Sequence, residues 1–270
     1  MSEPALYLPD GDAFRATEIT AGGWSPDAQS GGAVLALLGH VLEDVETLTP
    51  MSLTRMTVDL VRPAPIGQPL RVVPTVVREG KKIQVVDLTV TSGDMEVARA
   101  RALRVRNLDL GGVDGIPVST TNDDPASHLP PPDSLPNMVD SDGPAEFLRI
   151  GMDFRRTDSS RHDVNGLWCR LLVPVVAGEP VRATSRATVP MDLVNLIGVG
   201  YFGRGVTAIN ADVSAHVLRP PVGEWIGLVG DTRFGHQVGH GVSAATMSDD
   251  DGVFGLTSTS QVVDVVATDR

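Results

Sequence analysis

The chain has 270 residues, 41% of them apolar, a mean hydropathy of +0.04 and a formal net charge of −12. That is ordinary globular composition with room for two units of about 100–150 residues. The acidic balance argues against nucleic acid as a partner, and no run of about 18 apolar residues offers a membrane span, so no membrane insertion is expected.

The first residues, MSEPALYLPDGD, are acidic and lack the basic-then-apolar pattern of a secretory signal. Cys169 is the only cysteine. It can form neither an internal disulfide nor a thiolate metal site, and a cytoplasmic location is the expectation. A helix is predicted within 25–46, where Val34, Leu37, Leu38, Val41, Leu42 and Val45 fall at spacings of 3, 1, 3, 1, 3. Ser30 is its candidate cap, and Gly31 and Gly32 allow close backbone approach at its start. Four strands are predicted next, at 52–61, 69–78, 82–92 and 95–106. Arg62-Pro63-Ala64-Pro65 breaks the first, and Glu79-Gly80-Lys81 and Ser92-Gly93-Asp94 mark hairpin turns. Residues 109–140 are rich in Pro, Gly and Asp and read as a linker or surface excursion.

Beyond the linker, 146–156 and 166–176 read as strands and 179–199 as a helix that Pro190 should kink or restart. Strands are predicted near 205–218, 224–234, 239–248 and 252–266. Landmarks recur at an offset of 155–157. Arg62-Pro63 and Gly67 match Arg219-Pro220 and Gly223, Arg78 and Gly80 match Arg233 and Gly235, and Ser92 and Val97 match Ser248 and Val253. A constant offset over several turns points to duplication, with repeats at 1–108 and 141–270. Each repeat sets one helix against an antiparallel sheet, an α+β plan.

Three stretches carry a family resemblance. Residues 22–38 (GGWSPDAQSGGAVLALL) look like a first central helix. Residues 206–226 hold Asp212, Ser214, Arg219 and Pro220 in an Asp-x-Ser-x-x-x-x-Arg-Pro word. Asp251-Gly252 is followed by Ser260-Gln261. Together they resemble the acyl-CoA thioesterase II (TesB-like) family. The resemblance implies a double hot-dog fold, two central helices each wrapped by a curved antiparallel sheet, and a thioester hydrolase acting on fatty acyl-CoA without metal or cofactor. It also implies association into a homodimer or larger homo-oligomer. The site it implies is Asp192, Asn210 and Gln261 around one water. Asn195, three residues after Asp192, shares its helix face and is a candidate to support it, and backbone N–H groups at a helix start, near Gly31 and Gly32 or near Pro190, are candidates to face the carbonyl oxygen. Asn210 departs from the hydroxyl of many members, although an amide can still donate to or accept from a water.

Plainer roles exist for each residue. Asp192 suits a helix dipole if Pro190 opens the helix, Asn210 a turn, and Gln261 a solvent-facing strand position. Asp212 and Arg219 could pair across strand ends, and Trp24, Trp168 and Trp225 read as packing residues. Gly198-Val-Gly200-Tyr-Phe-Gly203 fits G-x-G-x-x-G but follows a helix, the wrong order for a dinucleotide site. No G-x-S-x-G word exists, and His236 and His240 flank a hairpin rather than a helix. Lys81 and Lys82 are candidate contacts for CoA phosphates. A non-catalytic acyl-CoA or lipid-binding protein and an enoyl-CoA hydratase are the competing functions, the latter lacking its Asp-x-Asn-Pro word here.

Overall fold

The structure is a computed structural model that describes residues 4–111, 113–115, 124–137, 145–157, 164–197 and 206–265. In chain order its elements are β1 (Tyr7–Asp10), β2 (Ala13–Ala16), α1 (Gly31–Asp44), β3 (Met51–Leu60), β4 (Pro69–Arg78), β5 (Ile83–Ser92) and β6 (Met95–Arg106). There follow β7 (Met152–Arg156), β8 (Gly166–Leu171), α2 (Ala183–Asp192), β9 (Val206–Asn210), β10 (Asp212–Val217), β11 (Ile226–Phe234), β12 (His240–Asp249) and β13 (Gly252–Val265).

All thirteen strands join one antiparallel sheet in the order β1-β2-β4-β5-β6-β3-β10-β13-β12-β11-β8-β7, with β9 on β13. The four strands after α1 stand in the order first, fourth, third, second. The four that close the chain repeat that order, and β3 meets β10 at the seam with Thr57 opposite Ser214. Gly67 and Gly223, the offset glycines, share a left-handed backbone with φ of +75° and +71°. That conformation is cheap only for glycine.

α1 is buried from Gly32 to Leu42, which is why its apolar stripe runs nearly all round. On one side it meets the sheet. On the other, Ser185 and Thr188 of α2 donate their hydroxyls to the carbonyls of Ala36 and Leu35 at 2.9 and 2.7 Å. Arg104 from β6 closes the C-terminal end of α1, donating to Leu42 O at 3.2 Å and Val45 O at 2.6 Å. Carbonyls with no intrahelical partner are thereby satisfied.

Several expectations need correction. The strand expected at 146–156 begins only at Met152, because Phe147–Gly151 form a π-type turn that wedges the Phe147 ring against Gly32. The strand expected at 166–176 stops at Leu171. Beyond it the main chain serves the N-terminus, where Leu6 and Tyr7 donate to Pro174 O and Val175 O at 3.0 and 2.9 Å. The run at 205–218 is two strands, broken at Ala211, whose carbonyl accepts from Leu60 N–H at 2.9 Å. The β1–β2 hairpin was not foreseen. Within the expected linker, part of 124–137 packs onto the fold. Ala126, Leu129 and Leu135 are buried, Trp168 Nε1–H donates to Pro130 O at 2.9 Å, and Ser248 Oγ–H donates to the buried Asp124 carboxylate at 2.5 Å.

Candidate active site

The helix expected at 179–199 is shorter. α2 ends at Asp192, and Leu193–Leu196 tighten into a 3₁₀ turn. Pro190 therefore lies in the last turn rather than the first, so Asp192 sits at the negative pole of its own helix. The helix-dipole role considered for it is overturned. What holds the carboxylate is the opposite pole of α1. Gly32 donates its backbone N–H to Asp192, and a β-carbon on Gly31 would stand 2.6 Å from Asp192 Oδ1. The glycine pair is thus the surface against which the carboxylate rests.

Asn210, at the end of β9, donates its Nδ2 to Asp192 Oδ1 at 2.8 Å and to the main-chain oxygen of the same residue at 2.7 Å. The register places Gln261 of β13 directly opposite Asn210. Its Nε2 reaches Asn210 Oδ1 at 3.5 Å and Ser243 Oγ at 2.9 Å. Ser243 in turn shares a 2.6 Å hydrogen bond with Thr232 Oγ1, which donates to Ile197 O at 3.1 Å. Gln261 Oε1 is buried without a hydrogen-bond partner among the described residues. It faces Gly241, where a β-carbon would approach to 2.5 Å. Asp192, Asn210 and Gln261 are 8%, 7% and 2% exposed, so Asn210 is no ordinary turn residue and Gln261 does not face solvent.

Burial pushes the Asp192 carboxyl above the ordinary carboxylate range, and the hydrogen bonds from Asn210 and Gly32 pull it part of the way back. The result is a dry carboxyl group, more basic than one in water, whose ionised form two donors partly stabilise. Such a group can take a proton from a neighbouring water.

The structure brings Asp192, Asn210, Gln261, Gly31 and Gly32 together. Asn195 lies beside them in the 3₁₀ turn, its Nδ2 donating to Ala208 O of β9 at 3.5 Å. It ties the turn to the strand that carries Asn210. Gly32 N–H, expected to face a substrate carbonyl, is committed to Asp192 instead. Ser243, Thr232, Thr257 and Thr259 were missed. Thr257 donates to Met191 O at 3.1 Å, and the buried run Thr257, Thr259, Gln261 at period two on β13 was the sequence signal for a polar inner face.

Other candidates fall elsewhere. Asp212 and Arg219 do not pair: Asp212 accepts from Ser260 N–H at 2.6 Å, while Arg219 forks onto Asp249 with two bonds of 2.7 Å. Lys81 and Lys82 are exposed in the β4–β5 hairpin, where Lys81 O accepts from Thr49 just past α1. That is the end of α1 remote from Gly31, about 20 Å along the helix. His236 and His240 are exposed, and among the described residues no group of three His, Cys, Asp or Glu could hold a metal ion. The G-x-G-x-x-G word at 198–203 lies outside the described residues.

Residues 20–105 match the model of the acyl-CoA thioesterase N-terminal domain family. No curated protein matches the chain. Among solved structures, it is similar to the acyl-CoA thioesterase II TesB2 of Mycobacterium marinum (12% identity, 96% of this chain on 95% of that one, TM-score 0.64). It is also similar to a provisionally assigned thioesterase from Novosphingobium aromaticivorans (18%, 97% on 99%, TM-score 0.70). A third likeness is to a conserved protein of unknown function with a hot-dog fold from Alicyclobacillus acidocaldarius (16%, 97% on 96%, TM-score 0.66). At these identities the likeness speaks for the fold, which is the hot-dog fold.

Proposed function

We propose that this chain hydrolyses the thioester of fatty acyl-CoA to a free fatty acid and CoA, and that Asp192, Asn210 and Gln261 perform the reaction. The domain match over 20–105 and the likeness to thioesterase II structures support acyl-CoA hydrolysis. The observation that carries the residue assignment is the buried hydrogen-bonded series from Asp192 through Asn210 to Gln261, drawn from α2, β9 and β13. On this reading the chain is a double hot-dog, with repeats at 1–108 and 141–270 whose central helices are α1 and α2, joined by 109–140.

A thiolate of pKa roughly 8.5 leaves without much acid assistance. The reaction therefore needs a positioned water, a base and a donor for the carbonyl oxygen. Asp192 takes the proton of the water. Asn210 fixes the carboxylate, and Gln261 Nε2 holds the Asn210 amide from β13, so that attack proceeds in a set direction. Gly31, at the first position of α1, has no intrahelical acceptor for its N–H and supplies it to the developing oxyanion. The step forms a C–O bond, breaks the C–S bond and passes through no acyl-enzyme. Cys169 is no competing nucleophile, because burial pushes its thiol up to about 12.

The cytoplasm is the proposed site of action, and a homodimer, formed by pairing open sheet edges, the proposed assembly. A free-thiol release assay over acyl-CoA chain lengths tests the function. Turnover that Asp192→Asn abolishes in a folded protein supports it. Binding without turnover would point to a carrier, and reaction only with enoyl-CoA to a hydratase.

A further inference from the structure

A cavity of about 250 Å³ lies between α2 and strands β7, β8 and β11. Its apolar walls include Met152, Cys169, Val189, Pro190 and Ile226, and two arginines, Arg170 and Arg186, line it together with one carboxylate, Glu224. It does not open on Asp192. Ser185, Thr188 and Asp192 turn toward α1, whereas Arg186, Val189 and Pro190 occupy positions offset by one or two residues. At 100° per residue they lie about a third of a turn round the helix, so α2 itself stands between the cavity and the carboxylate.

The two arginines are unequally satisfied. Arg170 donates to Glu224 at 3.0 Å and to Asp153 at 3.4 Å and stacks over Trp225 at 4.6 Å, yet its Nε is buried without a partner. Asp153 is already shared with Arg155 at 2.6 Å. Arg186 has no side-chain hydrogen bond or ion pair among the described residues, and its Nη2 is buried. Both guanidinium groups are partly exposed, so water serves part of each fork, and an anion in the cavity would meet the buried nitrogens that lack a partner among the described residues. The flat fork of donors matches a carboxylate better than any other small anion of biological chains except phosphate, and the apolar walls call for hydrocarbon next to that head group. The volume lies between the roughly 150 Å³ that takes a benzene and the roughly 300 Å³ where drug-sized pockets begin, which selects a short chain.

We infer that the cavity behind α2 is a binding site for a short-chain carboxylate, its head group held by Arg186 and Arg170 and its tail lying against Val189, Pro190 and Ile226. The site is separate from the Asp192 centre and does not depend on the reaction proposed there.

Calorimetric titration of the full chain with octanoate and with 1-octanol tests it. Octanoate binds one per chain, at least about tenfold more tightly than octanol. Arg186→Met, which keeps the stem and removes the donors, weakens octanoate by at least about tenfold, while Asp192→Asn leaves binding unchanged. Should Arg186→Met fail to fold, Val189→Phe, which fills the cavity, abolishes binding in its place. The inference is overturned by octanol binding as tightly as octanoate, by octanoate binding that survives these cavity variants or disappears in Asp192→Asn, or by the absence of octanoate binding at millimolar concentration.

Discussion

Gly31→Ala isolates the geometry of the carboxylate from the integrity of the fold. The added β-carbon would sit 2.6, 2.7 and 2.8 Å from Oδ1, Oδ2 and Cγ of Asp192. Carbon and its neighbours are at ease only near 3.5–4.0 Å, so the carboxyl group must retreat by about 0.7–1 Å. Alanine in a helix is otherwise favoured over glycine by up to about 1 kcal/mol, less at a first turn, and Gly31 has no left-handed backbone to forbid it. The expected outcome is a protein that melts within a few degrees of the parent and hydrolyses acyl-CoA about 100-fold more slowly, the usual cost of a misplacement near 1 Å. Stopped-time thiol release and a thermal melt read the two quantities. A folded Gly31→Ala variant with parental turnover would refute the view that the Asp192 carboxylate acts from the position it holds against α1.

Gly39→Ala should behave in the opposite way: its β-carbon would meet Thr188 Oγ1 at 2.5 Å and the Ser185 backbone at 2.9 Å, prising α1 from α2. A loss of about 1–3 kcal/mol in chemical denaturation is expected. For Asp192, burial raises the folded-state pKa above its unfolded value of about 3.9. Its contribution to stability is therefore complete below pH 3.9 and is lost as pH rises through the raised value. Asp192→Asn should accordingly gain most over the parent above the raised value, with the gap closing as pH falls toward about 3.9, while parental turnover falls as pH drops through the raised value and the base is protonated. Cys169, buried and with its thiol near 12, should resist iodoacetamide in the native protein and react only on unfolding, as mass spectrometry would record.

The strands from β4 to β6 were legible because the turns around Gly80 and Gly93 separate them, and because β5 and β6 alternate buried and more exposed residues along most of their length. The strand order shared by β3–β6 and β10–β13 left a trace in the sequence as turn residues at a constant offset, Gly67 and Gly223 among them. Features set by distant contacts were not legible. Nothing local announces that 173–176 leaves the sheet to hydrogen-bond Leu6 and Tyr7, that Phe147 turns on Gly32, or that Pro190 ends a helix rather than begins one. The site was found through resemblance, because Asn210 and Gln261 are 51 residues apart and become neighbours only through the β9–β13 register. Ser243 and Thr232, which hold Gln261, were read as ordinary strand residues, since their burial depends on which face of β11 and β12 turns inward.

A double-mutant cycle on acyl-CoA hydrolysis bears most directly on whether one buried polar unit does the chemistry. Asp192→Asn and Gln261→Ala should each lower kcat/KM by at least about 100-fold, and the double variant should be scarcely slower than Asp192→Asn alone, because residues that act on one water fail together. Parental turnover in folded Asp192→Asn, or losses that simply multiply in the double variant, would contradict the assignment.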